Sequence, residues 1–391
     1  MAARHRRRTA QLLTAAVLLG ACAAGDETST TVPSPTTSPH TAEPTPSPEA
    51  PTTPAATPAP TPVPAEPEVL AEGLAVPWAV DFLPDGTALV TERNTARVLA
   101  LDPGEEPVEL VTVPGVDAVN EAGLLGLAVS PDFAENGFVF VYFTTPEDNR
   151  VMRMVHDGEE LRPDVVVLDG IPRETYHSGG RIAFGPDGYL YVATGDAAEP
   201  SISQDPGSLG GKILRVDEDG EPAPGNPTEG SAVWSLGHRN VQGLDWDEHG
   251  TMFASEFGQD SWDELNRIEP GANYGWPQVE GPGGGEQFTD PLHTWRPAEA
   301  SPSGIAVTQD AIYVAALRGQ SLWRVPLDDG EVGEPERLLN GVYGRLRDVA
   351  VAPDGRLWLL TSNVFRGEPA PEDDRVVAIT EQCARDRDAC G

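Results

Sequence analysis

Cationic side chains are scarce in this chain of 391 residues: 26 Lys and Arg stand against 62 Asp and Glu, a formal charge of −36, and Lys212 is the single lysine. A nucleic-acid backbone needs a basic face, which this balance can hardly supply, so nucleic acid is excluded as a natural partner. An anionic bilayer would likewise repel the chain unless something anchors it. A cofactor held by a few converging arginines stays open, because a local site can oppose the global field. Cysteine is nearly missing too, with Cys22, Cys383 and Cys390 the only three. No apolar run reaches the roughly 20 residues of a permanent membrane helix. HExxH, a P-loop, G-x-S-x-G and a G-x-G-x-x-G set between strand and helix are all missing. What the chain has in abundance is Gly (41) and Pro (39), with hydrophobics at 39% and aromatics at 6%. That mixture interrupts helices and favours many short strands joined by turns.

The N-terminus reads separately. Arg4, Arg6, Arg7 and Arg8 precede an apolar stretch from Leu12 to Ala21, the pattern of an export signal over residues 1–22. It ends Leu19-Gly20-Ala21-Cys22, which resembles a bacterial lipobox whose Cys22 is lipidated; the plainer alternative is an ordinary signal with a stray cysteine. From Asp26 to Glu68 there are 13 Pro and 15 Ser or Thr, with no aromatic and no Lys or Arg. Such a segment cannot bury apolar surface, so residues 23–68 are expected to be a solvated tether. The chain is therefore expected to be exported and lipid-anchored at the outer face of a bacterial cell membrane. Residues 69–391 form the folded domain, with Cys383 and Cys390 near its end as a small disulfide.

From Val69 onward one unit recurs: an apolar pair, a polar turn, then an apolar or alternating strand. Its copies include DFLPDGTALVTE from Asp81, AFGPDGYLYVATGD from Ala183 and AVAPDGRLWLLTS from Ala350. In Pro-Asp-Gly the proline presets φ and the glycine supplies a positive φ, so each is a tight turn between strands. Six such turns, at 84, 131, 186, 247, 308 and 353, are spaced 45 to 61 residues apart. Several strands per period of that length predict an all-β, six-bladed β-propeller. Function then belongs to the loops at one end of the central channel.

Four clusters stand out. His177, in Tyr176-His177-Ser178-Gly179-Gly180-Arg181, precedes the third strand unit, and Asp196 ends that unit. An Asp that accepts from one imidazole nitrogen leaves the other free as a general base; spacing alone equally allows a surface-loop His with a turn Asp. Arg239-Asn240 offers a fork of donors and an amide to an anionic, oxygen-rich ligand, or simply an interblade salt bridge. Glu256 to Asp260, Asp263-Glu264 and Asn273 to Pro277 gather carboxylates and Gly-containing backbone, the hard oxygens Ca²⁺ takes, or form an acidic surface loop. Arg345 and Arg347 point the same way along an extended segment, into the channel or out to solvent. Lys212 reads as a structural residue.

Taken together and in order, these stretches resemble the soluble quinoprotein sugar dehydrogenases, the glucose/sorbosone and aldose sugar dehydrogenase family that uses pyrroloquinoline quinone (PQQ) and Ca²⁺. The resemblance runs from about residue 70 to 380 and includes Val76-Pro77-Trp78, Glu121 to Leu127, His177 through Asp196, Gly211 to Arg215, Gly237 to Asn240, Asn273 to Pro277 and Arg345 to Val349. It implies an oxidoreductase in which His177 takes the proton of an aldose C1 hydroxyl, Asp196 orients it, and hydride passes to PQQ. Arg239 and Asn240 would bond the cofactor, and Arg345 and Arg347 would hold its carboxylates. The carbonyls of Gly258 and Gln259 would ligate the Ca²⁺ beside it, and Glu264 with the main chain of Tyr274 would form a second Ca²⁺ site. Electrons would leave to an external acceptor. The chain departs from the family in three places: Gln259 replaces a common Pro, Arg318 stands where glucose-oxidising members carry a Lys, and Glu121 takes the place of a cofactor-contacting Gln. A non-catalytic propeller that binds a glycan or protein is the competing expectation. A lactonase-type hydrolase is disfavoured by the arginine-rich pocket.

Overall fold

The computed structural model describes residues 66–386. The export signal, Cys22, nearly all of the expected tether and Cys390 lie outside them. Cys383 is buried in the short helix Glu381–Arg385 and is disulfide-bonded.

Six antiparallel sheets, four with four strands drawn from consecutive sequence, account for the chain as a six-bladed β-propeller. Their first strands are Pro77–Phe82, Leu124–Val129, Gly179–Phe184, Val241–Trp246, Pro302–Val307 and Leu346–Val351. These six contact one another in that order and the last contacts the first, so they form the inner ring around a channel. The fifth blade adds a short extra pairing, Glu331–Val332, at its outer edge. The sixth is completed from the other end of the chain: Glu68–Ala71 pairs antiparallel with Val376–Ile379. That pairing joins the two ends of the folded chain in one blade and closes the ring, with Glu68–Ala71 as its outermost strand. Arg356 reinforces it with a 2.6 Å ion pair to Glu68.

The repeated turns lie at one end of the channel. Leu83, Gly185, Asp247 and Ala352 each accept a hydrogen bond from the N–H of the glycine three residues on, and those glycines (Gly86, Gly188, Gly250, Gly355) have φ between 78 and 96°. In blade 2 the turn at Ser130 runs on into the short helix Phe133–Asn136. Next to these turns Asp81 accepts from the Val129 N–H of blade 2 at 2.7 Å, and Asp245 accepts from the Val307 N–H of blade 5 at 2.6 Å. Each carboxylate staples its blade to the next.

At the opposite end all six inner strands are irregular. Each slips register against its neighbour directly after its first residue: at Pro77/Val80, Leu124/Leu127, Gly179/Ile182, Val241/Gly243, Pro302/Ile305 and Leu346/Asp348. A bulge ends pairing and re-aims the side chains beside it. Six bulges at one end therefore free the strand-entry residues to point at the channel mouth. The ring is tight: a Cβ on Gly126 would lie 2.1 Å from the Gly180 carbonyl oxygen, so only glycine lets blades 2 and 3 approach so closely. Lys212 is fully buried, and its ammonium donates to the carbonyls of Ile202, Ser203 and Gly210, consistent with a structural role for the single lysine.

Candidate active site

The bulged end of the channel gathers residues from all six blades. His177 sits two residues before the inner strand of blade 3, in the left-handed region at φ 60°. Its Nδ1 lies 2.7 Å from Asp196 Oδ1. Asp196 is fully buried and also accepts from the Ala198 N–H at 2.9 Å and from Trp276 Nε1 at 2.8 Å. A carboxylate that accepts at both oxygens places the imidazole proton on Nδ1 and leaves the Nε2 lone pair outward. Nε2 has no hydrogen-bond partner among the described residues, and the side chain keeps 14% of its surface open. Close backbone approach fixes this arrangement. A Cβ on Gly195 would meet the His177 carbonyl oxygen at 1.7 Å, so the residue before Asp196 must be glycine.

Arg239 and Asn240 stand on the entry to the inner strand of blade 4. The Asp196 N–H donates to the Arg239 carbonyl at 2.8 Å, and Asn240 Oδ1 accepts from the Gly179 N–H at 2.9 Å, which locks blades 3 and 4 at the site. The Arg239 guanidinium lies over the Trp276 ring at 5.4 Å and donates to the Phe257 carbonyl at 3.2 Å. Burial pulls its pKa below the usual arginine range. Two donors here are buried without a partner: Arg239 Nε and Asn240 Nδ2.

A second group of arginines lines the adjoining cavity with Trp78 and Phe257. Arg345 donates through Nε to the Ser362 carbonyl at 3.2 Å. Arg347 is buried over the Trp78 ring and donates to Gln242 Oε1 at 2.6 Å, while its Nε has no partner. Burial, with repulsion from Arg93 and Arg345, holds Arg347 well below its ordinary pKa. Burial, with repulsion from Arg366, likewise lowers Arg345. A chain with a net charge of −36 thus buries a cluster of like cations with spare donors. Unpaired buried donors are costly. The donor set fits a planar ligand bearing several carboxylates, with aromatic walls and guanidiniums at its edge.

The remaining expected residues are placed as follows. Glu121 lines the cavity but spends both oxygens: Oε1 on Arg366 at 2.7 Å and Oε2 on the His177 N–H at 3.3 Å. Arg318 is exposed, and its neighbour Leu317 lines the cavity instead. Gly258 and Gln259 begin a loop whose next N–H groups wrap one carboxylate: Glu280 Oε1 accepts from Gln259, Asp260, Ser261 and Trp262 at 2.7 to 3.1 Å. The carbonyls of Gly258 and Gln259 accept no hydrogen bond from the described residues, so two hard oxygens are available to a cation there. Glu264 accepts from the Gly281 N–H and from Asn266, and burial beside Glu256 raises its pKa. Tyr274 packs on His238, and its N–H donates to the Leu236 carbonyl. Among the described residues no three His, Cys, Asp or Glu side chains gather as a metal centre, so a cation at Gly258 would rest on main-chain oxygens.

The sequence alone assigns no role to Trp276, Trp78, Arg93, Phe365, Arg366 or Glu280. Trp276 and Trp78 lie inside stretches already singled out, so an aromatic beside the motifs was the available signal. Phe365 and Arg366 carry no local signal.

The sequence model of the Glucose / Sorbosone dehydrogenase family matches residues 74–366. The chain is similar to the structure of the PQQ-bound aldose sugar dehydrogenase of Streptomyces coelicolor, with 51% identity, a TM-score of 0.77, and coverage of 81% of this chain and 98% of that one. It is 29% identical over 336 residues to the aldose sugar dehydrogenase YliI of Escherichia coli K12, covering 75% of this chain and 89% of the relative. It is also 32% identical over 251 residues to quinoprotein glucose dehydrogenase B of Acinetobacter calcoaceticus, covering 55% of this chain and 52% of that protein.

Proposed function

The chain belongs to the glucose/sorbosone dehydrogenase family, and from that premise we propose that it oxidises an aldose at C1 to the lactone, with PQQ as cofactor and Ca²⁺ beside it. The observation that carries the reading is the pairing of an oriented imidazole with a buried, donor-rich arginine cavity in a strongly acidic protein. When bound, PQQ supplies the two-electron oxidant that receives the C1 hydride, and Ca²⁺ acts as a Lewis acid on it.

This chain's own residues do the rest. His177 Nε2 takes the C1 hydroxyl proton, and Asp196 steadies the imidazolium that results. The Trp276 N–H keeps Asp196 facing the imidazole. Arg239 Nε and Asn240 Nδ2 present donors where negative charge develops. Arg345 and Arg347 would hold the cofactor's carboxylates, Trp78 and Phe257 would line the cavity around it, and the Gly258 and Gln259 carbonyls would take the cation. The lysine-free, guanidinium-only set favours fixed, bidentate contacts.

Features of the sequence support a setting for this chemistry. Residues 1–22 would direct export, Cys22 would carry the lipid and residues 23–68 would tether the propeller outside the cytoplasmic membrane. There it would meet free sugars and an external electron acceptor.

The test is a His177→Ala variant of the full-length protein, reconstituted with PQQ and CaCl₂ and assayed by dye reduction with a panel of aldoses. We expect turnover to fall at least about 100-fold, the low end for a general base, with PQQ still retained through gel filtration. A variant that keeps wild-type turnover would remove His177 from the chemistry.

A further inference from the structure

The conformation of His177 is strained and needs an explanation. A non-glycine residue in the left-handed region is disfavoured by its Cβ and persists only where its surroundings over-determine it. Two backbone contacts hold His177 there: its carbonyl accepts from the Ala197 N–H at 3.3 Å, and its N–H donates to Glu121 Oε2 at 3.3 Å. The second depends on a side chain from another blade. Glu121 belongs to the loop entering blade 2, and its own N–H donates to the Thr175 carbonyl at 3.0 Å, two residues before His177.

That carboxylate is itself anchored. Arg366, 245 residues further along, donates to Glu121 Oε1 at 2.7 Å and to Asn120 Oδ1 at 2.5 Å. Its guanidinium lies 4.7 Å from the Phe365 ring centroid, and the buried Arg93 covers the same ring at 3.9 Å. Asn120 and Arg366 are left-handed too, at φ 58 and 62°. Three strained rim residues from three parts of the chain are thus joined through one carboxylate.

We propose that Arg366 and Glu121 form a positioning pair that sets the backbone of His177, and that Glu121 serves the base rather than contacting the cofactor. The inference rests on the dehydrogenase reading for its catalytic consequence, but the link to His177 stands apart from it. Because Arg366 is half exposed, the ion pair itself adds little stability. Its effect belongs in geometry.

The experiment compares Glu121→Ala, Arg366→Ala and Arg366→Lys with the wild type in the full chain. Hydrogen exchange of the His177 amide is followed by mass spectrometry without cofactor. PQQ affinity and turnover at saturating PQQ are measured alongside. Losing one hydrogen bond of ordinary strength should speed exchange about tenfold and lower turnover about tenfold in both alanine variants, with PQQ affinity within about threefold. Arg366→Lys, which keeps the charge and one donor, should stay within about threefold of wild type in exchange and turnover. Wild-type exchange in the alanine variants would overturn the pairing. So would a tenfold loss of PQQ affinity with exchange and turnover unchanged, which would return Glu121 to the cofactor. If the wild type oxidised no aldose, the reading of activity would fail, and the exchange rates would still decide the pairing.

Discussion

At the scale of single residues one carboxylate sets the geometry of the base. Asp196 has an imidazole on one oxygen and an indole N–H on the other. An Asp196→Asn variant substitutes a donor for one of those acceptors and leaves the imidazole without its orienting charge. Turnover should then fall about 100-fold or more. Trp276→Phe keeps a ring beneath Arg239 but removes one hydrogen bond to the Asp196 carboxylate, which should cost about tenfold or more. Steady-state rates at saturating PQQ check both, and an Asn variant with wild-type turnover would contradict the assignment. His177 and Asp196 were legible because each adjoins the same strand unit and carries chemistry in its own side chain. Trp276 was not, because its contact with Asp196 spans 80 residues and no local pattern foretells it. Arg318 shows the reverse case: the right segment was read, but Leu317 faces the cavity while Arg318 faces out. Alternation along an extended segment decides this, and the bulges that set its phase leave no sequence mark.

At the scale of elements, the repeated turns were the clearest feature of the sequence. Proline, aspartate and glycine each favour the turn for a separate local reason, so the signal survives without tertiary context. The staples beside the turns needed the structure. Asp81 and Asp245 are acids on inner strands whose partners lie 48 and 62 residues away in the next blade. Burial lifts each to about 6 from an ordinary 3.8, against the pull of the N–H groups they accept from. An acid whose folded-state pKa is raised binds its proton in the folded chain while the unfolded chain has already released it. Its contribution to stability is therefore complete below about pH 4 and is lost as pH rises through about 6. Asp245→Ala also leaves the Val307 N–H unsatisfied. The variant should lower the melting temperature at pH 7.5, and should lower it further at pH 4.5. Thermal unfolding at the two pH values checks the sign, and a larger loss at pH 7.5 would contradict it.

At the scale of the whole molecule, six blades meet at a channel whose two ends differ in kind. Regular turns and interblade carboxylates ring one end around a cavity lined by all six inner strands, and six bulges turn the other toward a pocket of arginines. The blade count followed from spacing alone. Ring closure by Glu68–Ala71 did not, because that strand follows directly on a proline-rich segment and has too few residues to announce itself. The charge contrast has a direct consequence: the buried guanidiniums at the bulged end, repelling one another and holding spare donors, would be stabilised by an anion there. The most direct measurement is a titration of the purified full-length apo-protein with PQQ in the presence of CaCl₂, following aldose-dependent dye reduction. The account predicts no activity without PQQ, a rise that saturates at about one PQQ per chain, and loss of that activity when a chelator removes the calcium. Aldose-dependent reduction that needs no PQQ, or no reduction together with no PQQ retained after gel filtration, would contradict it.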